Sequence, residues 1–130
     1  QSGRLQALLL DEGVLTELRT AAVGALAARL FAPKEIQAIG ILGTGIQSRY
    51  QLRMLKSVTP CRSVIVWGRT VEKANAFQAE MAQEGWDVSV AAKPDDLLTS
   101  CDLVVTTTYA REAVLGCTVT SSRENIRAGL

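Results

Sequence analysis

The stretch Ile36–Ser48, IQAIGILGTGIQS, decides how the rest of the chain is interpreted. Its apolar first part, rich in β-branched residues, is typical of a buried strand, and it continues directly into Gly43-x-Gly45-x-x-Ser48. Between a strand and a helix, this spacing is typical of a loop that binds the phosphates of a dinucleotide. Gly43 permits a tight turn, and Gly45 lets a pyrophosphate approach the backbone without meeting a Cβ atom. Ser48 is small enough for helix packing, although the strict pattern has Gly or Ala there; the alternative is a glycine turn without a ligand.

Strand and helix patterns alternate on both sides of this stretch. The predicted elements are a strand over Leu5–Leu10, a helix from Thr16 to about Phe31, strand 36–42, helix 46–58, strand 63–67, helix 70–84, a weaker strand 88–91, a short helix 94–98 and strand 103–107. Because strands that alternate with helices form parallel sheets with right-handed crossovers, we predict an α/β fold, a Rossmann-like parallel sheet with flanking helices.

The first predicted helix contains two kinds of apolar residue. A stripe at spacings of three and four predicts its buried face, with Thr16 as the N-cap: Leu15, Leu18, Ala22, Leu26 and Leu30. Between them lie alanines and a glycine with almost no side chain, so this helix can approach another backbone closely. Pro33 is expected to stop it.

The end of the strand 63–67 indicates which dinucleotide would bind. NAD-binding domains of this class place Asp or Glu there to hold the ribose hydroxyls, whereas this chain has Trp67-Gly68-Arg69-Thr70. The Arg69 guanidinium can bind a 2′-phosphate bidentately, and Thr70 can donate from its hydroxyl and its backbone N–H. These residues predict NADP as the cofactor, with NAD possible. The alternative is a solvated surface arginine beside a simple helix cap.

Composition excludes several classes of function. Fourteen Lys and Arg against thirteen Asp and Glu leave the 130-residue chain at +1, so there is no electrostatic footprint for nucleic acid or an anionic membrane. The longest apolar or small run, residues 21–28, is far shorter than the roughly 20 residues of a membrane span. There is no histidine, and Cys61, Cys101 and Cys117 lie far apart, so no metal site is expected. Reduced thiols fit a cytoplasmic protein.

Four segments carry a further signal. They are Leu18–Ala22 (LRTAA), Gly40–Ser48 (GILGTGIQS), Val66–Thr70 (VWGRT) and Asp102–Thr108 (DLVVTTT). In this order they resemble the ornithine cyclodeaminase/mu-crystallin family, over about residues 3–115. The resemblance implies an NAD(P)-dependent enzyme that moves a hydride between a nicotinamide and the α-carbon of an amino acid or its imine, as cyclodeaminases, alanine dehydrogenases and ketimine reductases do. A small amino-acid or imine substrate and a homodimer or higher homo-oligomer are expected.

The resemblance also implies roles for individual residues. Arg19 is expected to contact the substrate carboxylate near the cofactor. The implied cofactor-binding residues are Gly43, Thr44, Gly45, Ile46 and Gln47 around the pyrophosphate, Gly68, Arg69 and Thr70 at the adenosine ribose, and Thr106, Thr107 and Thr108 beyond the last strand. Two alternatives remain: Arg19 as an ordinary surface residue, and the threonines as ordinary strand residues, which Thr favours.

The chain departs from the family in what it lacks. Family enzymes are longer, and their substrate domain supplies a catalytic Lys and an acidic group. We expect residues 1–33 to come from the edge of that substrate or dimerisation region, 34–115 to form the NAD(P)-binding domain and 116–130 to be a divergent tail, with a strand over 117–120 and a short helix to 130. No proton-transfer residue can be assigned, so the chain alone should bind cofactor and turn over little.

Two further interpretations compete with the family one. The chain would then be a non-catalytic dinucleotide-binding module or a truncated fragment, or else an oligomerisation piece whose Leu5–Leu10 segment adds a strand to a partner.

Overall fold

The computed structural model describes residues 3–8 and 10–115. In chain order the elements are α1 (Val14–Phe31), β1 (Ile39–Leu42), α2 (Ile46–Leu55), β2 (Ser63–Trp67), α3 (Val71–Gln83), β3 (Asp87–Val90), α4 (Asp96–Ser100) and β4 (Leu103–Thr106). The bounds agree with the predicted ones to within a few residues, except at the N-terminus. None of the helices in this part combines the length and apolarity that crossing a membrane requires.

The four strands form one parallel sheet in the order β3-β2-β1-β4. Ile39 at the start of β1 pairs with Val64 on one side and with Leu103 on the other. The chain therefore runs outward from β1 through β2 to β3 and returns to the opposite side of β1, which confirms the predicted α/β fold. In such sheets, ligands bind outside the carboxyl ends of the strands where this reversal occurs.

The core lies around the central strand. All four residues of β1 are buried, as expected for a parallel strand covered on both faces. Helix α3 adds Ala74, Phe77 and Met81 at spacings of three and four, and Phe77 and Met81 are fully buried. Each such large apolar side chain contributes about 1.5–3 kcal/mol on burial. This packing holds the carboxyl ends of β1 and β2 at fixed positions.

Helix α1 packs against α2 through its small residues and not through its leucines. Its buried residues are Ala21, Ala25 and Ala28. A Cβ atom added to Gly24 would lie 2.1 Å from Oε1 of Gln51 on α2, so the helices meet too closely for larger side chains. The close approach is as predicted, but the predicted leucine face is wrong. Of that stripe, only Leu18 is partly buried, and the exposed members are Leu15, Ala22, Leu26 and Leu30.

The start of α1 also differs from the prediction. The helix begins at Val14 after Gly13, whose φ is +90°, and a carboxylate oxygen of Asp11 accepts a hydrogen bond from the Leu15 backbone N–H at 2.7 Å. That bond lowers the pKa of the Asp11 carboxyl. Thr16 lies inside the helix and is not its N-cap, because the helix already begins at Val14 and Asp11 satisfies the free N–H group of Leu15, the residue before Thr16.

The predicted strand over Leu5–Leu10 is wrong for the residues that are described there. Residues 3–8 and Leu10 have no regular secondary structure, and Leu5, Leu8 and Leu10 are 73% to 88% exposed. A strand needs a hydrogen-bonded neighbour, and the sheet of the described residues pairs none with this segment. The strand and helix predicted over 117–130, with Cys117, lie outside the described residues.

Candidate functional site

The loop that follows β1 turns through a conformation that favours glycine. Gly43 has a φ of +116°, and its backbone N–H donates to the carbonyl of Trp67 at the end of β2, at 2.8 Å. A Cβ atom added here would lie 2.8 Å from the backbone oxygen of Thr107. Gly43 therefore forms the turn that the glycine pattern predicts, and it also lets the ends of β1, β2 and β4 converge.

Gly45 has the opposite surroundings. No atom lies within 4 Å of an added Cβ, and its φ of −84° is one that any residue can adopt. It is the N-cap of α2, which has no side-chain cap, so the first backbone N–H groups of the helix lack a side-chain acceptor. Ser48 is fully buried and donates its hydroxyl to the carbonyl of Gly45 at 2.6 Å. The space beside Gly45 is thus open to a ligand, as the glycine pattern predicts.

A cavity of about 310 Å³ joins the carboxyl ends of the three adjacent strands. Its lining includes ten of the predicted residues, namely Gly43, Thr44, Gly45, Ile46, Gln47, Gly68, Arg69, Thr70, Thr107 and Thr108. Two predicted residues do not line it: Thr106, which is the last residue of β4, and Arg19, which is exposed on α1. The structure therefore brings the predicted cofactor residues together and leaves the predicted substrate residue outside the cavity.

Several lining residues were not predicted, namely Glu17, Trp67, Lys73, Tyr109, Ala110 and Val114. Lys73 lies in the first turn of α3, three residues after Thr70, so this spacing could have revealed it. Glu17 had no such signal, because only the packing of α1 on α2 carries it to the mouth of the cavity.

The side of the cavity that is predicted to hold the adenosine ribose is open. Arg69 and Thr70 are both exposed, and Thr70 is the N-cap of α3 without a side-chain cap bond. The lining residues on this side carry two cationic groups, Arg69 and Lys73, and no carboxylate. Gly68 lies against the opposite loop, since an added Cβ would be 2.8 Å from Cγ2 of Thr44.

A chain of side-chain amides links the cavity to α1. Nε2 of Gln47 donates to the carboxylate of Glu17, and Oε1 of Gln47 accepts from Nε2 of Gln51 at 3.0 Å. Gln51 also donates to the backbone oxygen of Thr20 at 3.3 Å. Gln47, which the resemblance places at the pyrophosphate, is thus oriented by the helix that precedes the sheet.

The described thiols lie away from this site. Cys61 and Cys101 are free and partly buried, and they precede β2 and β4, at the amino ends of the strands. Burial raises the pKa of Cys101 to about 11, so this thiol stays protonated at neutral pH. Within residues 3–8 and 10–115, no group of three His, Cys, Asp or Glu residues could hold a metal ion.

Comparison with known proteins agrees with the geometry. The model of the ornithine cyclodeaminase/mu-crystallin family matches residues 1–129. An uncharacterised cyclodeaminase of Sinorhizobium fredii is 40% identical over 116 residues, which are 88% of this chain and 35% of that protein. The ketimine reductase mu-crystallin of Mus musculus is 33% identical over 114 residues, which are again 88% of this chain and 35% of that protein.

A solved structure shows the same arrangement of chain. An archaeal alanine dehydrogenase dimer with bound NAD superposes with a TM-score of 0.72 at 32% identity, over 78% of this chain and 31% of that one. The chain thus spans about a third of the length of the relatives that it matches.

Proposed function

Because this chain belongs to the ornithine cyclodeaminase/mu-crystallin family, we propose that it is the dinucleotide-binding portion of an NAD(P)-dependent enzyme acting on amino acids or imino acids. A bound nicotinamide would supply or accept the hydride at the substrate α-carbon. The chain's own residues would bind and orient the dinucleotide: the 43–47 loop and the start of α2 at the pyrophosphate, residues 68–70 at the adenosine ribose, and residues 106–108 beside the central part of the cofactor.

One observation carries this proposal: the bare backbone of Gly45 faces the cavity at the start of α2. A helix start with free N–H groups and a positive dipole end attracts phosphate. The absence of any atom within 4 Å of an added Cβ leaves room for a phosphate there. The residues present therefore fit a dinucleotide.

Preference for NADP is the finer part of the proposal. The exposed Arg69, Thr70 and Lys73 favour a 2′-phosphate. The lining residues on this side include no carboxylate, which is the group that would accept hydrogen bonds from the two free ribose hydroxyls of NAD. The archaeal alanine dehydrogenase contains NAD, so family membership alone does not choose between the two cofactors.

The substrate side of the enzyme would come mainly from the rest of a longer protein. We assign residues 1–33 to the edge of that substrate or dimerisation region, because the leucine face of α1 and the segment around Leu8 are exposed. Arg19 would then meet the substrate carboxylate once that region is in place, 34–115 would be the NAD(P)-binding domain, and 116–130 the divergent tail. Assembly as a homodimer or larger homo-oligomer and a cytoplasmic location belong to the same proposal.

The test is calorimetric titration of NADPH and NADH into the wild-type chain and into Gly45→Val. Valine would fill the space that a phosphate needs, so we expect binding to become undetectable while the free energy of unfolding falls by no more than about 2 kcal/mol, the usual cost of a poor N-cap. Ala79→Val, at an exposed position of α3, is the matched control and should bind as the wild type does. Equal affinity of wild type and Gly45→Val would contradict the proposal.

A turnover assay separates the enzyme from a non-catalytic module. A longer protein that contains this chain should oxidise NADPH in the presence of a cyclic imine acid. Binding of NADPH without turnover of any amino acid or imine by that longer protein would favour the module.

A further inference from the structure

Arg49 lies on α2, four residues after Gly45, and is not among the residues that line the cavity. Its Nη1 group donates to two successive loop carbonyls, of Thr44 at 2.8 Å and of Gly45 at 2.9 Å. The guanidinium also receives support from α3. Nε and Nη2 donate to the carboxylate of Glu80 at 2.6–2.8 Å, and the group stacks over the buried ring of Phe77 at 5.1 Å from its centroid.

These contacts fix the direction of the neighbouring N–H groups. A peptide unit is planar and trans, so the carbonyl of one residue and the N–H of the next point in opposite directions. The carbonyls of Thr44 and Gly45 point toward Arg49. The N–H groups of Gly45 and Ile46 must therefore point away from it, and both residues line the cavity.

The charge of Arg49 is already satisfied by the protein. The fork to Glu80 is a bidentate ion pair, the side chain of Arg49 is only 18% exposed, and this pairing lowers the pKa of Glu80. A phosphate bound at the loop would face the N–H side of these peptide units, whereas Arg49 lies on their carbonyl side. Its role is therefore orientation of the backbone and not direct contact with an anion.

We propose that Arg49 is a positioning residue that holds the N–H groups of Gly45 and Ile46 toward the cavity before a dinucleotide arrives, with Glu80 as its anchor. This inference rests on the proposed function. A loop set in its binding conformation loses less conformational freedom on binding, which raises affinity. Because the pyrophosphate is common to both cofactors, Arg49 should matter equally for NADPH and NADH.

The matched control is Arg53, one turn further along α2. Its guanidinium pairs with the end of α3, with Glu84 at 2.6 Å and more distantly with Glu80 at 3.9 Å, and its hydrogen bonds within the described residues go to Glu84 and not to the loop. The experiment compares wild type, Arg49→Ala, Arg49→Lys and Arg53→Ala. It measures affinity for NADPH and NADH by calorimetry, thermal stability, and the ¹⁵N order parameters of Gly45 and Ile46 in the free proteins.

We expect Arg49→Ala to weaken both nucleotides by about tenfold, and the order parameters of the two amides to fall from about 0.85 to below about 0.6. Arg49→Lys should restore little of the affinity or of the loop order, because one ammonium group cannot bond to the two loop carbonyls and to Glu80 as the guanidinium does. Arg53→Ala should lower thermal stability comparably while leaving affinity and loop order unchanged.

Two results would overturn the inference. One is an Arg49→Ala protein whose amides stay ordered and whose affinities stay within about twofold of wild type. The other is an Arg53→Ala protein with the same losses, which would indicate a general loosening of the α2–α3 packing. A wild-type chain that binds neither nucleotide would overturn the proposed function instead, and the order parameters would still decide whether Arg49 holds the loop.

Discussion

The two ends of the cavity are built differently. At the phosphate end, backbone groups of three strands meet: Gly43 donates to Trp67, and the N–H of Thr107 donates to the carbonyl of Leu42 at 2.8 Å. At the ribose end, Arg69 and Thr70 are exposed and project from the end of one strand. The end predicted to hold the phosphates, which every dinucleotide has, is thus held together by backbone hydrogen bonds between strands, and the end predicted to distinguish dinucleotides consists of exposed side chains. Changes at the first end should affect all cofactors, and at the crowded Gly43 folding as well, whereas changes at the second end should affect one cofactor only.

The largest effect is expected at Gly43. Gly43→Ala would place a Cβ 2.8 Å from the Thr107 carbonyl in a backbone conformation with φ of +116°, and should lower the free energy of unfolding by about 2–4 kcal/mol. Urea unfolding measures this. Gly85→Ala is the control, since its φ is +85° but no atom lies within 4 Å of an added Cβ. Equal losses of unfolding free energy in the two variants would mean that the crowding at Gly43 adds nothing to the cost of the positive φ.

Arg69→Ala tests the other end of the cavity, where we expect an effect on one cofactor only. Removing a charge-assisted hydrogen bond to a 2′-phosphate costs about 1.5–3 kcal/mol, so NADPH should bind about tenfold or more weakly while NADH is unchanged. Paired titrations of both nucleotides measure this, and unfolding should match wild type because Arg69 is exposed. Equal wild-type affinities for NADPH and NADH would end the proposed preference for NADP.

Glu17→Gln should have a smaller effect, in the favourable direction. Glu17 is the one acidic residue among the described lining residues, and its charge opposes an anionic ligand. Its removal should strengthen NADPH and NADH alike by about two- to fivefold at low salt, and less as salt screens the charge. Glu35→Gln, an exposed acid before β1, should change nothing. Weaker binding would instead show that the charge of Glu17 is needed to orient Gln47.

The smallest effect concerns pH and the anchor of Arg49. Hydrogen bonding from Arg49 holds the pKa of Glu80 below its ordinary value of 4.5. The stabilisation is therefore complete above about pH 4.5 and is lost as the pH falls through the lowered pKa of the folded state. Thermal unfolding of Glu80→Gln should show a flatter dependence on pH below 5 than wild type, and Glu35→Gln should follow the wild type. A parallel pH dependence of wild type and Glu80→Gln would contradict this.

The features of the fold and the site that could be predicted are those that depend on patterns between residues close together in the sequence. Strand and helix alternation from residue 39 onward predicted the parallel sheet, and the spacing of Gly43 and Gly45 located the loop at its carboxyl edge. Ten predicted cofactor residues line one cavity, because parallel strands bring their carboxyl ends to the same edge. Whether each of them binds the cofactor stays a prediction that the titrations address.

Local patterns failed where a second element decides the outcome. The leucine stripe of α1 is the most apolar face, yet the alanine face is buried because Gln51 of α2 meets the helix at Gly24. The segment around Leu8 has the composition of a strand, but no strand of the described sheet pairs with it. Thr16 has the chemistry of a cap, but Asp11 makes the capping bond.

The sequence by itself determined the class of fold, the position of the phosphate loop and the family. These follow from periodicity and from glycines whose spacing has few other uses. Only the tertiary structure decided that Glu17 reaches the mouth of the cavity and that Glu80 of α3 anchors Arg49. The physical reason is that both depend on how helices pack side by side, and side-chain contacts between residues about thirty positions apart leave no periodic trace in the chain.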